Sequence, residues 1–340
     1  MRRCGRDFQI VLVYNDETGQ RGNPKELIAL QDTANTTRHV YETLISLGYP
    51  TVLIAARDSL EQFEAEISQY SPKDTFVFFN CDGFNGATWG SVYIAEILER
   101  LGFGHTGAPS HAIALITDKP KTQRYLAEHG VPTPPHEVFA HPPQSTILRF
   151  PLIVKPSLED ASLGIHLESV VTNLDQLAQR VKHIVENYRQ PALVEEFVPG
   201  RELAVAMWGN GVIDVLPLYE QDYSHIPDPL LRLLTYEAKW VHDSPLYDHF
   251  AVRCPAELPA EEEQAVREVA LRAYRAVGLR DFGRMDIRLR DGTPYVIDVN
   301  DLPDLGPASG FHRNIQAAGY TYAQMIDRIL TLALKREGWI

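Results

Sequence analysis

Asp286, Asp298 and Asn300 bring two carboxylates and a carboxamide into one short stretch that reads as a β-hairpin. Asp291-Gly292 is a turn signal between runs of apolar alternation, so the chain from Phe282 to Asn300 is expected to fold back on itself. A loop of Asp291, Gly292 and Thr293 would pair Asp286 directly with Asp298, and would put Arg284 and Asn300 on that same face. Ile287, Leu289, Tyr295, Ile297 and Val299 would take the other face. Carboxylates opposed across a ladder repel one another, so the pattern asks for a counter-cation. Hard oxygen donors of these types suit magnesium held together with a nucleotide phosphate. A solvated strand face, with Arg288 and Arg290 among its charges, accounts for the same residues without a metal.

Further groups of the same character precede the hairpin. Pro151 to Lys155 reads as a strand ending in a lysine, and the loop that follows offers backbone amides, Ser157 and Ser162 for covering a polyphosphate. An exposed hairpin is the other reading of that segment. Glu195, Glu196, Phe197 and Val198 end a strand, and Glu202 follows Pro199-Gly200. Such a strand end offers adenine backbone donors and acceptors, with a carboxylate free for ribose hydroxyls. Lys239 sits in a long segment that could close as a lid, or could be a plain surface lysine. Gly102 to Gly107 matches GxGxxG, but it follows a helical run, Val92–Leu101, and Pro109 comes soon after. That context predicts a turn-rich connection instead of a dinucleotide site.

The elements that must position these groups alternate in type. Strands over Gln9–Tyr14, Thr51–Ala55 and Thr75–Asn80 are separated by helices over Thr33–Leu47 and after Ser59, and a further helix covers Trp89–Leu101. This predicts an α/β fold opening on a small parallel, doubly wound sheet. Asp118, Lys119 and Pro120 open a helix that Gly130 closes, and the prolines from 132 to 143 mark a connection. Strands over Leu152–Lys155, Ile165–Val170 and Ala192–Glu196, with a helix over Leu174–Tyr188, make an α+β unit. Strands over Leu203–Trp208 and Val212–Leu216, a long segment from Tyr219 to Asp248, a helix over Ala260–Val277, the hairpin, and a helix over Thr321–Lys335 complete the chain. The expected units are residues 1–108, 109–192 and 193–340.

Length and composition bound the rest. At 340 residues the chain is long enough for two or three cores, and 44% hydrophobic with 23% charged residues is the balance of a folded globular protein. A net charge of −13 argues against nucleic-acid and anionic-membrane partners, while leaving room for a phosphate ligand held by a few local cations. Cys4, Cys81 and Cys254 are far apart and form no CxxC, so neither a disulfide framework nor a thiolate metal site is indicated. The apolar run Phe8–Tyr14 is too short for a secretion signal and no stretch is long enough to span a membrane, so a cytoplasmic location is expected.

Taken in order, Asp118-Lys119, Val154-Lys155-Pro156, Glu195 to Glu202, Glu237-Ala238-Lys239, Gly283-Arg284-Met285-Asp286 and Asp298-Val299-Asn300 resemble the ATP-grasp superfamily. Within it they resemble the D-alanine–D-alanine ligase family, over roughly residues 90–335. The resemblance implies that Lys119, Lys155 and Ser162 hold ATP phosphates, that Glu195, Glu196 and Val198 meet adenine, that Glu202 takes the ribose, and that Lys239 reaches in from the lid. It implies two magnesium ions on Asp286, Asp298 and Asn300, with manganese as an alternative, and an amide-forming reaction through an acylphosphate. Arg284 would stabilise the oxyanion, and Ser309 would grip the second substrate's carboxylate. Small amino-acid and carboxylate substrates and a homodimer are the implied partners.

The chain departs from that family in places. Aspartate stands at 298 where glutamate is usual, Asp160 and Ala161 replace a glycine and a serine, and Asp304 replaces a glycine whose amide helps bind the oxyanion. The motifs that hold the first D-alanine are replaced by Gln31-Asp32-Thr33 and by the run from Asn80 to Gly86. Asp32, Asn80, Asp82 and Asn85 are the candidates for a different first pocket, with a plain polar loop as the alternative. Beside the general ligase, and beside a dinucleotide oxidoreductase as the remaining rival, stand three further readings. They are a D-alanine–D-alanine ligase proper, a mycosporine-type ligase of specialised metabolism, and a nucleotide-binding regulator that has lost turnover.

Overall fold

Ile10 to Val13 form a continuous apolar run, and it becomes the middle strand of the first sheet, buried on both faces. The structure, a computed structural model, describes residues 8–16, 27–247 and 251–340. Strands β1 (Gln9–Asn15), β2 (Thr51–Ala56) and β3 (Thr75–Asn80) are parallel and lie in the order β2-β1-β3. Helices α1 (Leu27–Ser46), α2 (Leu60–Ile67) and α3 (Gly90–Arg100) flank them, and the Ser59 hydroxyl caps α2 by accepting from the Gln62 amide. The glycine-rich run is a connection, as its context predicts. Gly102 and Gly107 both have φ of 82°, and His105 between them bridges to Val77 at the sheet edge. Two short helices follow, α4 (Ser110–Thr117) and α5 (Lys119–Glu128), and the carboxylate of Asp118 caps the second.

The second sheet is antiparallel, with β4 (His136–Phe139), β5 (Leu152–Pro156), β6 (Val170–Val171) and β7 (Ala192–Glu196) in the order β4-β7-β5-β6. Helix α6 (Leu174–Tyr188) covers one face with Leu177, Val181 and Ile184. The strand expected over Ile165–Val170 is reduced to its last residue. Arg180 of α6 donates to the Gly164 carbonyl at 2.6 Å and to Ser169 Oγ at 3.0 Å, and a 3₁₀ turn replaces the ladder.

The third sheet comprises β8 (Arg201–Asn210), β9 (Val212–Val215), β10 (Tyr219–Asp222), β11 (Ala251–Arg253), β12 (Phe282–Arg290) and β13 (Thr293–Asn300). Its order is β11-β10-β8-β12-β13, with β9 paired to β8. Helices α7 (Tyr236–Trp240), α8 (Ala260–Ala276), α9 (Gly310–Ala317) and α10 (Tyr322–Arg336) complete it. Two apolar clusters join this sheet to the first. One gathers Val77, Ile94 and Ile113 with Ala270, Met285 and Ile287, and the other gathers Leu12 and Phe78 with Phe311 and Ile329. Asp281, fully buried, locks the same junction by accepting from the Gly107 amide, Asn210 Nδ2 and the Arg336 guanidinium. Among the described residues, no helix is long and apolar enough to cross a membrane.

In the hairpin Asp286 pairs with Asp298 and Arg284 with Asn300. The route to that register differs from the expected three-residue loop. The turn is the two residues Asp291 and Gly292, with φ of 50° and 73°, and a bulge at Ile297 restores the pairing. The faces shift as a consequence. Val296 joins Met285, Ile287, Leu289 and Val299 in the core, while Ile297 turns to the opposite face and lines a cavity, and the Arg290 guanidinium lies over the Tyr295 ring.

Candidate active site

The site face of β12 and β13 forms the floor of a cavity between the second and third sheets. The Arg284 guanidinium donates to both oxygens of Asp286 at 2.7 and 2.8 Å, and Asn300 Nδ2 donates to Asp286 Oδ2 at 3.2 Å. Across the ladder, Lys119 Nζ reaches Asp298 Oδ1 at 2.7 Å and Asp160 Oδ1 at 2.7 Å. Burial would raise the Asp298 carboxyl, but Lys119, Lys155 and Arg284 hold it below its ordinary range. Burial would also strip the proton from Lys119, and the two aspartates keep it firmly charged. Two carboxylates and a carboxamide oxygen side by side are a hard donor set that fits magnesium. Among the described residues no three His, Cys, Asp or Glu side chains gather for a metal, so oxygens of water or of a nucleotide phosphate would complete any such shell.

The walls of the same cavity carry the remaining nucleotide candidates: Lys155, Ser162, Glu195, Glu196, Val198, Glu202 and Lys239 all line it. Lys155 Nζ lies 2.6 Å from Glu195 Oε2, and that carboxylate is buried. Glu196 Oε1 accepts from the Arg149 amide at 3.0 Å. Ala161 and Ser162 adopt left-handed conformations, with φ of 54° and 63°, where the loop turns over the cavity. Lys239 stands on α7, which Thr235 caps, and Trp240 Nε1 donates to the Ala161 carbonyl at 2.8 Å. The lid segment and the phosphate loop therefore hold each other. Burial and the nearby Arg284 charge lower the Lys239 ammonium, and among the described residues no carboxylate pairs with it.

Sequence reasoning missed Arg288, read there as one charge of a solvated face. It is 4% exposed, donates to Glu202 Oε2 at 2.5 Å, and lies over the rings of Phe197 and Tyr223. Its other terminal nitrogen, NH1, is buried with no hydrogen-bond partner, in the wall of the cavity. The signal was available, because residues 284, 286 and 288 share one face of a strand.

A second cavity adjoins the first, and Asp160, Ala161, Lys239, Arg284 and Asn300 line both. Asn80 and Asp82 line it, together with Thr33, Thr36, Thr88, Asp301 and Asp304. Burial, with the charge of Asp160 next, pushes the Asp301 carboxyl up to about 7. Asp304 Oδ1 accepts from Thr36 Oγ1 at 3.0 Å and from the Gly306 amide at 2.8 Å. Asp32 belongs to α1, but its side chain lies outside the described residues. The structure does not bring Asn85 to either cavity. It occupies a turn at φ of 48° and donates to the Asp58 carbonyl at 3.0 Å. Ser309 lines neither cavity; its hydroxyl caps α9 by accepting from the His312 amide.

Residues 125–331 match the family described as D-ala D-ala ligase C-terminus. The uncharacterized protein y4sG of Sinorhizobium fredii is 35% identical over 266 residues, which is 76% of this chain and 75% of that one. The D-alanine–D-alanine ligase of Desulforudis audaxviator is 30% identical over 249 residues, covering 72% of this chain and 77% of its own. That of Haemophilus influenzae is 31% identical over 309 residues, covering 88% and 95%. The crystal structure of the D-alanine–D-alanine ligase of Bacillus anthracis complexed with ATP superposes with a TM-score of 0.73 over 96% of this chain and 98% of that one, and at 20% identity it shows the shared fold. The chain belongs to the D-alanine–D-alanine ligase family and is an ATP-grasp carbon–nitrogen ligase.

Proposed function

We propose that the protein joins the carboxylate of an amino acid to the amine of a second small molecule, consuming ATP through an acylphosphate. The carrying observation is that Arg284 and Lys239 stand where the two cavities meet, beside the opposed Asp286 and Asp298. ATP in the first cavity would present its γ-phosphate to an acid seated in the second. Lys119, Lys155, Ser162 and Lys239 would hold the phosphates, Glu195, Glu196 and Val198 would face the adenine, and Glu202, oriented by Arg288, would take the ribose hydroxyls.

A carboxylate oxygen of the acid attacks the γ-phosphorus and ADP leaves. The amine then attacks the acyl carbon, phosphate leaves, and the amine sheds a proton. Arg284 steadies the negative oxygen that forms at that carbon. Asp286, Asp298 and Asn300 would hold two magnesium ions, or manganese, which neutralise phosphate charge when bound. Lys119 must then exchange Asp298 for phosphate oxygens, a change between two acceptors of like charge. Three units divided near residues 108 and 192, a homodimer and a cytoplasmic location complete the reading by family resemblance. Ser309 remains the candidate for the second substrate's carboxylate, provided that its capping bond to His312 is exchanged on binding.

The test is phosphate release from MgATP across paired D- and L-amino acids and amines, with D-alanine paired with itself as one arm. Release should appear only when an acid and an amine are both present, together with one amide bond per phosphate. Tight MgATP binding with no release from any pair would refute the ligase and favour a nucleotide-binding regulator.

A further inference from the structure

The second cavity is unbalanced in charge. Asp82, Asp301 and Asp304 line it, and among the described residues of its lining the only cations are Lys239 and Arg284. Arg284 is already committed to Asp286 at 2.7 Å, and Asp160, which also lines the cavity, is committed to Lys119 at 2.7 Å. Two of these aspartates, Asp82 and Asp304, draw their hydrogen bonds from neutral donors. Asn15 Nδ2 gives a hydrogen bond to Asp82 at 2.7 Å, and Thr36 Oγ1 with the Gly306 amide serves Asp304. Neutral donors position a carboxylate but leave its charge uncompensated, and two such charges on one cavity are an arrangement that bound cations relieve.

Thr88 supplies an independent sign of a ligand. It is 7% exposed and lines this cavity, and its hydroxyl is buried with no hydrogen-bond partner. A buried hydroxyl left unmatched is destabilising, and a ligand N–H in the cavity would satisfy it. The α-ammonium of an ordinary amino acid can answer one carboxylate. A second carboxylate and an accepting hydroxyl call for a second ammonium.

We propose that the acid partner in the ligation is an amino acid with a second cationic nitrogen on its side chain, of ornithine or lysine type. Its carboxylate lies toward Lys239 and Arg284, where the cavities meet, and its distal nitrogen lies at Asp82, leaving Asp304 to the α-ammonium. The inference rests on the ligase reading for the fate of the carboxylate, and on the cavity alone for the charge of the ligand.

Calorimetric titration separates the two. The full chain, with magnesium and a non-hydrolysable ATP analogue, is titrated with ornithine, lysine, norvaline and norleucine in both enantiomers. Ornithine or lysine should bind at least about tenfold tighter than the neutral amino acids of similar shape, as expected for a charge-assisted hydrogen bond. Asp82→Asn should shrink that preference to less than about threefold. Thr88→Val removes no hydrogen bond within the protein, and should weaken ornithine or lysine binding by about threefold or more. Unchanged affinity for the ATP analogue certifies the fold of both variants. Equal or tighter binding of norvaline or norleucine, no binding of either diamino acid, or an undiminished preference in Asp82→Asn would overturn the proposal. Selective binding of a diamino acid without phosphate release from any pair would uphold the cationic pocket and refute the ligase chemistry.

Discussion

Lys119 Nζ lies 2.7 Å from Asp298 Oδ1, so the first turn of helix α5 neutralises one of the two carboxylates that face each other on the hairpin. The same ammonium holds Asp160 of the phosphate loop, and in this way one lysine ties the floor of the nucleotide cavity to its cover. Lys119→Met leaves both aspartates without their cation. Apo stability should fall by about 2 kcal/mol, less than a fully buried pair would lose because Asp160 is half exposed. Thermal denaturation with and without MgATP checks this, and the nucleotide's protective shift should shrink as well.

Arg284 grips Asp286 through two parallel hydrogen bonds, which fixes the guanidinium plane at the place where the cavities meet. Arg284→Met should lower kcat by about 10²–10³ while the nucleotide Kd changes little, since the oxyanion forms only during the reaction. Arg284→Lys should restore little of the loss, because an ammonium cannot reproduce the bidentate grip. Steady-state kinetics beside equilibrium nucleotide binding distinguishes the two effects.

Glu202 and Arg288 form a pair far less exposed to water than most, with side chains 14% and 5% exposed. Arg288→Met leaves the Glu202 carboxylate with the Tyr223 hydroxyl, 3.3 Å away, but without its cation, and stability should fall by about 3 kcal/mol. The KM for ATP should rise by about tenfold or more, because Glu202 loses the partner that orients it toward the ribose. Denaturant unfolding and ATP-dependent kinetics test the two parts separately.

Glu99 gives a pH signature remote from the chemistry. Burial opposes its ionisation, yet bonds from His105 and Ser110 hold its carboxyl down to about 2, from an ordinary value of 4.5. The folded state therefore favours the charged form. That stabilisation is complete above pH 4.5 and is lost as the pH falls toward 2. Glu99→Gln should melt below the parent at pH 7, and the gap in Tm should close across the acid range.

The hairpin shows how far the chain could be read before its structure was in view. Its two strands and the place of its turn follow from alternation around Asp291-Gly292, whereas the pairing of Asp286 with Asp298, expected from a three-residue loop, is reached instead by a two-residue turn and a bulge. The side taken by Tyr295, Val296 and Ile297 does not follow, because a bulge adds one residue without a sequence mark and inverts the alternation beyond it. Arg288 was hidden by the habit of assigning arginines to solvent, although its spacing from Arg284 and Asp286 placed it on the site face. Asn85 reads like Asp82, a polar residue of one loop, and only the backbone path sends one to the cavity and the other to a surface turn. Helix α4 and strand β4 are short and flanked by prolines, so local pattern says little and packing decides them.

The most direct test of the ligase account follows oxygen. An amino acid that supports turnover, labelled with ¹⁸O in both carboxylate oxygens, is incubated with the protein, MgATP and the amine partner, and the released phosphate is examined by mass spectrometry. Attack of the carboxylate on the γ-phosphorus predicts one labelled oxygen in every phosphate released, with the other retained in the amide. Phosphate free of label would mean that the acid is never phosphorylated, and would contradict the account at its centre.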